Sequence, residues 1–319
     1  VTGHHYGHPD TREFPFSYLI NDGEGGSLLL PGAAVGSVGL ARDVEKWPSR
    51  LSGAAQNDPV DFRWLSPYTM QGVLAACRRL EAELIGAGSS VRDEKHEGYS
   101  IPARAIRRGL ERYDILKRLY TGGVLRRKLM DIISVTPEIT SAEIAARLRR
   151  EPEGEGAGRW VDLAGMIASR ERVDRFISAL KGGESDSEVS CTRIAEGLDA
   201  LREYYREDSW QWTWVHFEEL AGVPASELSP AAIADILAAA ADAAEKFGRL
   251  MRADAAKEFD PGRASLGFGI DAAEDTAECM ADFARVRGSL EGQRFLALLD
   301  RSIATFATPS RALAAALRG

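Results

Sequence analysis

The sequence lacks most of the short motifs by which a chemical function is usually read. Its three cysteines, Cys77, Cys191 and Cys279, are odd in number and far apart in a chain of 319 residues. No CxxC pair is present, which argues against a disulfide framework and a cysteine-based zinc site. Each cysteine falls in an apolar helical pattern and is expected to be a reduced, buried thiol. No apolar run approaches the roughly 18 residues of a membrane span, and no basic-then-apolar leader opens the chain. These absences predict a cytoplasmic protein with no membrane contact. A GxxxxGK phosphate loop, a GxGxxG turn after a strand, a serine nucleophile elbow and HExxH are all missing. No complete catalytic motif remains, and the sequence names no cofactor.

What is present is ordinary for a globular protein: 45% hydrophobic and 28% charged residues, in a chain long enough for two domains or one large one. The net charge of -8 argues against nucleic acid as a partner. Near the N-terminus, two short apolar runs, Phe16 to Ile20 and Ser27 to Leu30, flank Asn21-Asp22-Gly23-Glu24-Gly25-Gly26. Asn, Asp and Gly tolerate positive φ, so the spacing predicts two strands joined by a turn.

From Ser66 onward the pattern is helical. Ser66 and Pro67 suit the N-cap and first helical positions. A second helix is expected from Pro102, ended or bent at Gly122-Gly123. Thr140 and Glu143 have capping-box spacing. The acidic, glycine-rich stretch at 151–158 reads as a linker. After Ser229-Pro230, a seam of Ile233, Leu237, Ala240, Ala244, Phe247 and Met251 alternates steps of four and three, as helix packing requires. The fold class predicted is mainly α: a bundle-like helical C-terminal region after a small β or irregular segment. The segments are 1–60, 61–150 with a basic helix, and 151–319.

Three groups of residues are candidates for a site. His4, His5 and His8 lie within five residues, and catalytic zinc commonly takes three protein ligands. Gly3, Gly7 and Pro9 oppose a helix there, however, and no acidic or cysteine cluster nearby supplies a second shell, so no metal is expected. Trp210, Trp212 and Trp214 could stack a sugar or base, but aromatics at such a density are expected in the core. The charge distribution says more. Between Ile101 and Met130 lie nine basic and two acidic residues, a net +7 that leaves -15 for the rest of the chain. Arg104, Arg108 and Arg112 repeat every four residues and so stack along one helix face. Such a row can grip phosphate bidentately; the competing expectation is a solvated face balanced by carboxylates from another helix.

The stretches "FPFSYLIND", "LLLPG" and "GLARDVEKW" resemble an uncharacterised bacterial family whose members carry an N-terminal left-handed β-helix of hexapeptide repeats. The matching residues are Pro15 to Ile20, Asn21, Asp22, Leu28 to Gly32 and Leu40 to Arg42. Further islands at "GYSIPARAI", "RWVDLAGMI" and "KEFD" through "DFARVRGSLEGQRFL" follow in the same order. The chain departs from that family at Ala33 to Gly39, where its members carry aromatics, and shows no sustained six-residue period around Leu30 to Trp47. The resemblance implies that "VTGHHYGHPD" is the exit of a truncated β-helix rather than a metal box. It also implies relatives among sugar-nucleotide or acyl transferases, this chain supplying a helical accessory or assembly region. Two alternatives stand beside it: a module that binds a phosphorylated sugar or nucleotide through the arginine row, and a scaffold forming homo-oligomers through the Ile233–Met251 seam.

Overall fold

Asn21 and Asp22 make the first turn of the fold with their own side chains. Gly23 donates its N–H to Asn21 Oδ1 at 2.7 Å and Gly26 donates to Asp22 Oδ1 at 2.8 Å. Strands β1 (Tyr18–Asn21) and β2 (Ser27–Leu30) therefore pair antiparallel, with Tyr18 opposite Leu30 and Ile20 opposite Leu28. In this computed structural model, residues 3, 10–50, 60–86, 94–96, 98–181, 191–260 and 276–319 are described. A 3₁₀ turn at Ala33–Gly36 leads into α1 (Val38–Arg50), followed by α2 (Pro67–Gly86). Strands β3 (Glu94–His96) and β4 (Tyr99–Ile101) complete a sheet of order β1-β2-β4-β3, in which β2 and β4 run parallel. Helices α3 (Ala103–Val135) and α4 (Ser141–Leu148) precede a hairpin of β5 (Trp160–Leu163) and β6 (Met166–Ser169). The rest is helical: α5 (Arg170–Lys181), α6 (Cys191–Val215), α7 (Phe217–Ala221), α8 (Pro230–Ala256), α9 (Thr276–Arg287) and α10 (Arg294–Arg318).

The protein is thus mainly α, with ten helices and two small sheets among the described residues. None of those helices is long and apolar enough to cross a membrane. Local signals act where the sequence places them. Ser66 Oγ accepts from Thr69 N–H, Ser229 Oγ accepts from Ala232 N–H, and Thr140 and Glu143 close a capping box. One hydrophobic core collects Leu29, Val35, Leu80, Tyr113, Leu129, Trp160, Phe217 and Leu317, so all three segments of the sequence contribute to it.

Helix α8 is the centre of this core. Its seam residues Ile233, Leu237, Ala240, Ala244, Phe247 and Met251 are all buried, against α3 on one side and α10 on the other. The chain itself therefore covers these six side chains.

Gly122 and Gly123 do not end or bend α3, which continues to Val135. They let two helices approach closely. A Cβ at Gly122 would stand 2.2 Å from Ala240 Cβ, a distance real side chains do not tolerate. Residues 151–158 likewise are no free linker. Gly156 N–H donates to Gln211 Oε1 at 2.6 Å, Gln211 Nε2 donates to Glu153 O at 2.6 Å, and Trp160 Nε1 donates to Gly156 O at 2.9 Å. Gly154 and Gly156 lie flat on α6, since a Cβ at Gly156 would meet the Asp208 backbone at 2.3 Å. The bidentate Arg172–Asp208 pair locks α5 to the same region.

Pro309 sits inside α10 and lacks the N–H that would bond Thr305 O. Arg126 from α3 supplies the missing donor, at 3.1 Å to Thr305 O and 3.2 Å to Phe306 O. The tryptophans are core, as expected: Trp210 and Trp212 are buried, and Trp212 meets Tyr120 edge-on at 5.9 Å. Of the cysteines only Cys77 is buried, where desolvation first of all pushes its thiol up to about 11. Cys191 is exposed in the first turn of α6 and Cys279 is half-buried, so the expectation of three buried thiols fails for both.

Candidate functional site

Pro102, extended at φ -60° and ψ 138°, caps the start of α3 and sets the helix phase. Ala105, Ile106, Gly109 and Tyr113 then face the core. Arg104, Arg108 and Arg112 fall on an adjacent face, one per turn, about 6 Å apart along the axis. The structure brings all three to the wall of one cavity of ≈ 470 Å³. That lies within the roughly 300–1,000 Å³ usual for small-molecule sites.

The opposite wall is the β1–β2 hairpin, with Pro31, Ala33 and Gly36 between the two walls. Glycines fix the distance. A Cβ at Gly109 would stand 2.8 Å from Pro31 Cβ, so the Pro31-Gly32 corner seats directly on the helix. Gly32 takes φ 63°, a left-handed conformation that glycine adopts without strain. Tyr113 Oη donates to Pro15 O at 2.9 Å and lies 3.3 Å from Ser17 Oγ, which accepts from Gly32 N–H at 3.1 Å. The hairpin is thereby tied to α3 at the level of Arg112.

Arg112 is the most constrained member of the row. A Cβ at Gly36 would lie 3.3 Å from Arg112 Nη2, and a Cβ at Gly32 would lie 3.1 Å from Arg112 Cβ. The guanidinium therefore rests on a strip of small residues, half-buried. Burial first, and the like charge of Arg108 second, push its pKa below the usual arginine value. Arg104 and Arg108 are exposed.

No described residue forms a hydrogen bond or ion pair with any of the three. Other arginines of the chain do find carboxylates: Arg42 with Glu258 at 2.9 Å, Arg118 with Asp114 at 2.7 Å, Arg311 with Asp242 at 2.8 Å. Among the described residues no carboxylate from another helix pairs with the row; Glu111, on the same helix, acts on Arg112 through its charge alone. The one carboxylate on the cavity wall is Asp254, and it is engaged elsewhere. Its Oδ2 accepts from Val38 N–H, at the start of α1, and its Oδ1 accepts from Lys257 Nζ, both at 2.9 Å. Burial raises the Asp254 pKa, but those two bonds outweigh it and the net direction is down. The carboxylate stays charged and anchors α1 to α8. Such a cavity can hold an anion by several charge-assisted bonds.

Tyr18, Leu28, Asp254 and Lys257 also line the cavity, and sequence reasoning missed them as site residues. Asp254 and Lys257 lie more than 140 residues from the row and carried no local signal. His4, His5 and His8 lie outside the described residues. Among the described residues no group of three His, Cys, Asp or Glu could hold a metal ion. His216 is half-buried, its ring 4.4 Å from that of Trp212 and its Nδ1 3.7 Å from Glu219, a packing role at the α6–α7 junction.

Comparison with protein-family models finds two matches. One family, described as Domain of unknown function (DUF6819), matches residues 140–315. Another, Domain of unknown function (DUF4954), matches residues 1–84. No curated protein and no solved structure matches the chain.

Proposed function

The chain belongs to the first of these families, whose model covers more than half of it, and we propose that it acts as a binding module for a phosphorylated small molecule. Arg104, Arg108 and Arg112 hold the phosphate, and the cavity beneath the hairpin takes the rest of the ligand. The observation that carries this reading is Arg112. A half-buried guanidinium with no carboxylate in hydrogen-bond or ion-pair contact among the described residues, next to a second arginine whose charge outweighs the pull of Glu111, is a costly arrangement. A bound anion offsets that cost. Calorimetric titration with inorganic pyrophosphate and with phosphorylated sugars tests it. Arg108→Ala and Arg112→Ala should each weaken binding by about 1–3 kcal/mol, the scale of a lost charge-assisted bond. Affinity unchanged in both variants, for every phosphorylated ligand tested, refutes the reading.

A second reading follows from the ordered resemblance: the chain as helical accessory region of a β-helix protein related to sugar-nucleotide or acyl transferases. The islands between Pro15 and Arg42 fall within the residues matched by one family model, and those from Arg159 and Lys257 onward begin within the other. Enzyme-like turnover of acyl-CoA or sugar-nucleotide substrates by this chain alone would exclude a purely accessory role. The two readings are compatible, since an accessory region can carry a binding site.

A further inference from the structure

The hairpin wall of the arginine cavity has the wrong polarity for a surface that meets only water. In β1 and β2 the side chains of Leu19 and Leu29 point into the core and are buried. The alternate positions, Tyr18, Ile20, Leu28 and Leu30, share the other face of the ribbon. All four line the cavity opposite the arginine row. An antiparallel strand pair with one face on the core commonly carries polar residues on its second face. Here that face carries Ile20, Leu28 and Leu30, the last partly packed against the core, and Tyr18 keeps 38% of its surface exposed.

Across the cavity the chemistry reverses. Arg104, Arg108 and Arg112 offer three positive groups spread over about 12 Å of helix, more than a single phosphate spans. Asp254 adds one negative group, its charge already answered by Lys257 and the Val38 N–H. One wall thus suits an extended polyanion, and the facing wall suits a flat apolar surface.

Resting on the anion-site reading above, we infer that the ligand is a nucleotide carrying at least two phosphates, the phosphates on the arginine row and the base against Tyr18 and the Leu28–Leu30 edge of the hairpin. The base lies on a ring and aliphatic side chains, as bases do where aromatic platforms bind them without sequence-specific hydrogen bonds. This arrangement also separates nucleotides from phosphorylated sugars, whose several hydroxyls would face Ile20, Leu28 and Leu30 with only the Tyr18 hydroxyl to pair.

The test is calorimetric titration of the full chain with inorganic pyrophosphate, adenosine diphosphate, uridine diphosphate and hexyl phosphate. Either nucleoside diphosphate should bind about tenfold or more tighter than pyrophosphate, the scale of one base–aromatic stack. Tyr18→Ala should remove most of that advantage; Tyr18→Phe should retain it. Pyrophosphate binding as tightly as both nucleotides overturns this inference and leaves the anion site standing. Hexyl phosphate binding tighter than the nucleotides overturns it in favour of an acyl chain. Binding by none of the four, with circular dichroism showing an intact helical fold, overturns the anion site and the inference together.

Discussion

Adjacent glycines at the middle of α3 should respond to alanine in opposite directions. In an exposed helix, Gly→Ala stabilises by about 0.8–1.0 kcal/mol through helix propensity alone. At Gly122 the new methyl group would stand 2.2 Å from Ala240 Cβ, where carbon atoms in contact prefer roughly 3.5–4.0 Å. Helices α3 and α8 must then separate by more than 1 Å along a fully packed interface, and overpacking of this kind costs about 1–3 kcal/mol. Because the overlap is severe, the net effect of Gly122→Ala is a loss of about 1–2 kcal/mol after the propensity gain. At Gly123 the nearest atoms to a new Cβ, from Arg127 and Phe306, lie at 3.7 Å, an ordinary contact. Gly123→Ala should therefore stabilise by about 0.5–1 kcal/mol.

Urea unfolding of the two variants decides between these signs, provided the slopes match that of the parent. A double-mutant cycle isolates the contact: Ala240→Gly removes the colliding methyl and should recover at least about 1 kcal/mol of the Gly122→Ala loss. If both glycine variants are stabilised, or the cycle shows no coupling, the close approach of α3 and α8 is wrong and the reasoning for Gly122-Gly123 falls with it.

Three further predictions follow from named contacts. Arg112→Met removes a desolvated charge that faces Arg108. It should raise stability by up to about 1 kcal/mol while abolishing anion binding, a trade typical of functional sites and readable by melting and titration on one sample; a clear loss of stability would show the arginine to be structural. Arg126→Met leaves Thr305 O without its donor, while Phe306 O keeps the Ser310 hydroxyl at 2.7 Å, and should cost about 1–2 kcal/mol. Pro309→Ala in that background should restore part of the loss, because the new N–H can reach Thr305 O; no rescue would sink the account. His216 has a pKa depressed first by burial, against the opposing pull of Glu219. The unfolded chain therefore binds its proton more readily, so stability should be complete above about pH 6.5 and fall as pH drops through and below that value. His216→Gln should flatten that part of the melting profile, and an unchanged slope would assign the dependence to another group.

The elements legible in the sequence are those whose signals are local. The Asn21-to-Gly26 turn, the Ser66 and Ser229 caps, the Thr140–Glu143 box and the α8 seam each depend on residues within a few positions of one another. The misreadings share the opposite property. Gly122-Gly123 looks like a break because the reason for small residues, Ala240, is far away in sequence. Residues 151–158 have linker composition, yet those glycines exist so that the backbone can lie on Asp208 and Gln211. The β5–β6 hairpin escapes notice as well. Its turn puts Ala164 at φ 53° beside Gly165 at φ 103°, where an Asn-Gly or Asp-Gly pair would have been the recognisable signal.

The arginine row shows where local legibility stops and tertiary structure begins. Its four-residue period is a property of α3 alone and could be read directly. Where the acidic surplus goes bears on whether it is a solvated face or a site, and that depends on distant packing. Arg311 takes Asp242 and Glu245, Arg42 takes Glu258, and Arg172 takes Asp208. Asp254, the carboxylate on the cavity wall, is turned instead to the N-terminus of α1 and to Lys257. A chain with 48 acidic and 40 basic residues had ample means to neutralise three arginines on one helix face. Leaving them open, and setting Gly32 and Gly36 against Arg112, holds one guanidinium at a cost to stability. That cost is offset if an anion completes the pocket, which is why a gain in stability with a loss of binding, in the same Arg112 variant, is the outcome that separates a site from a surface.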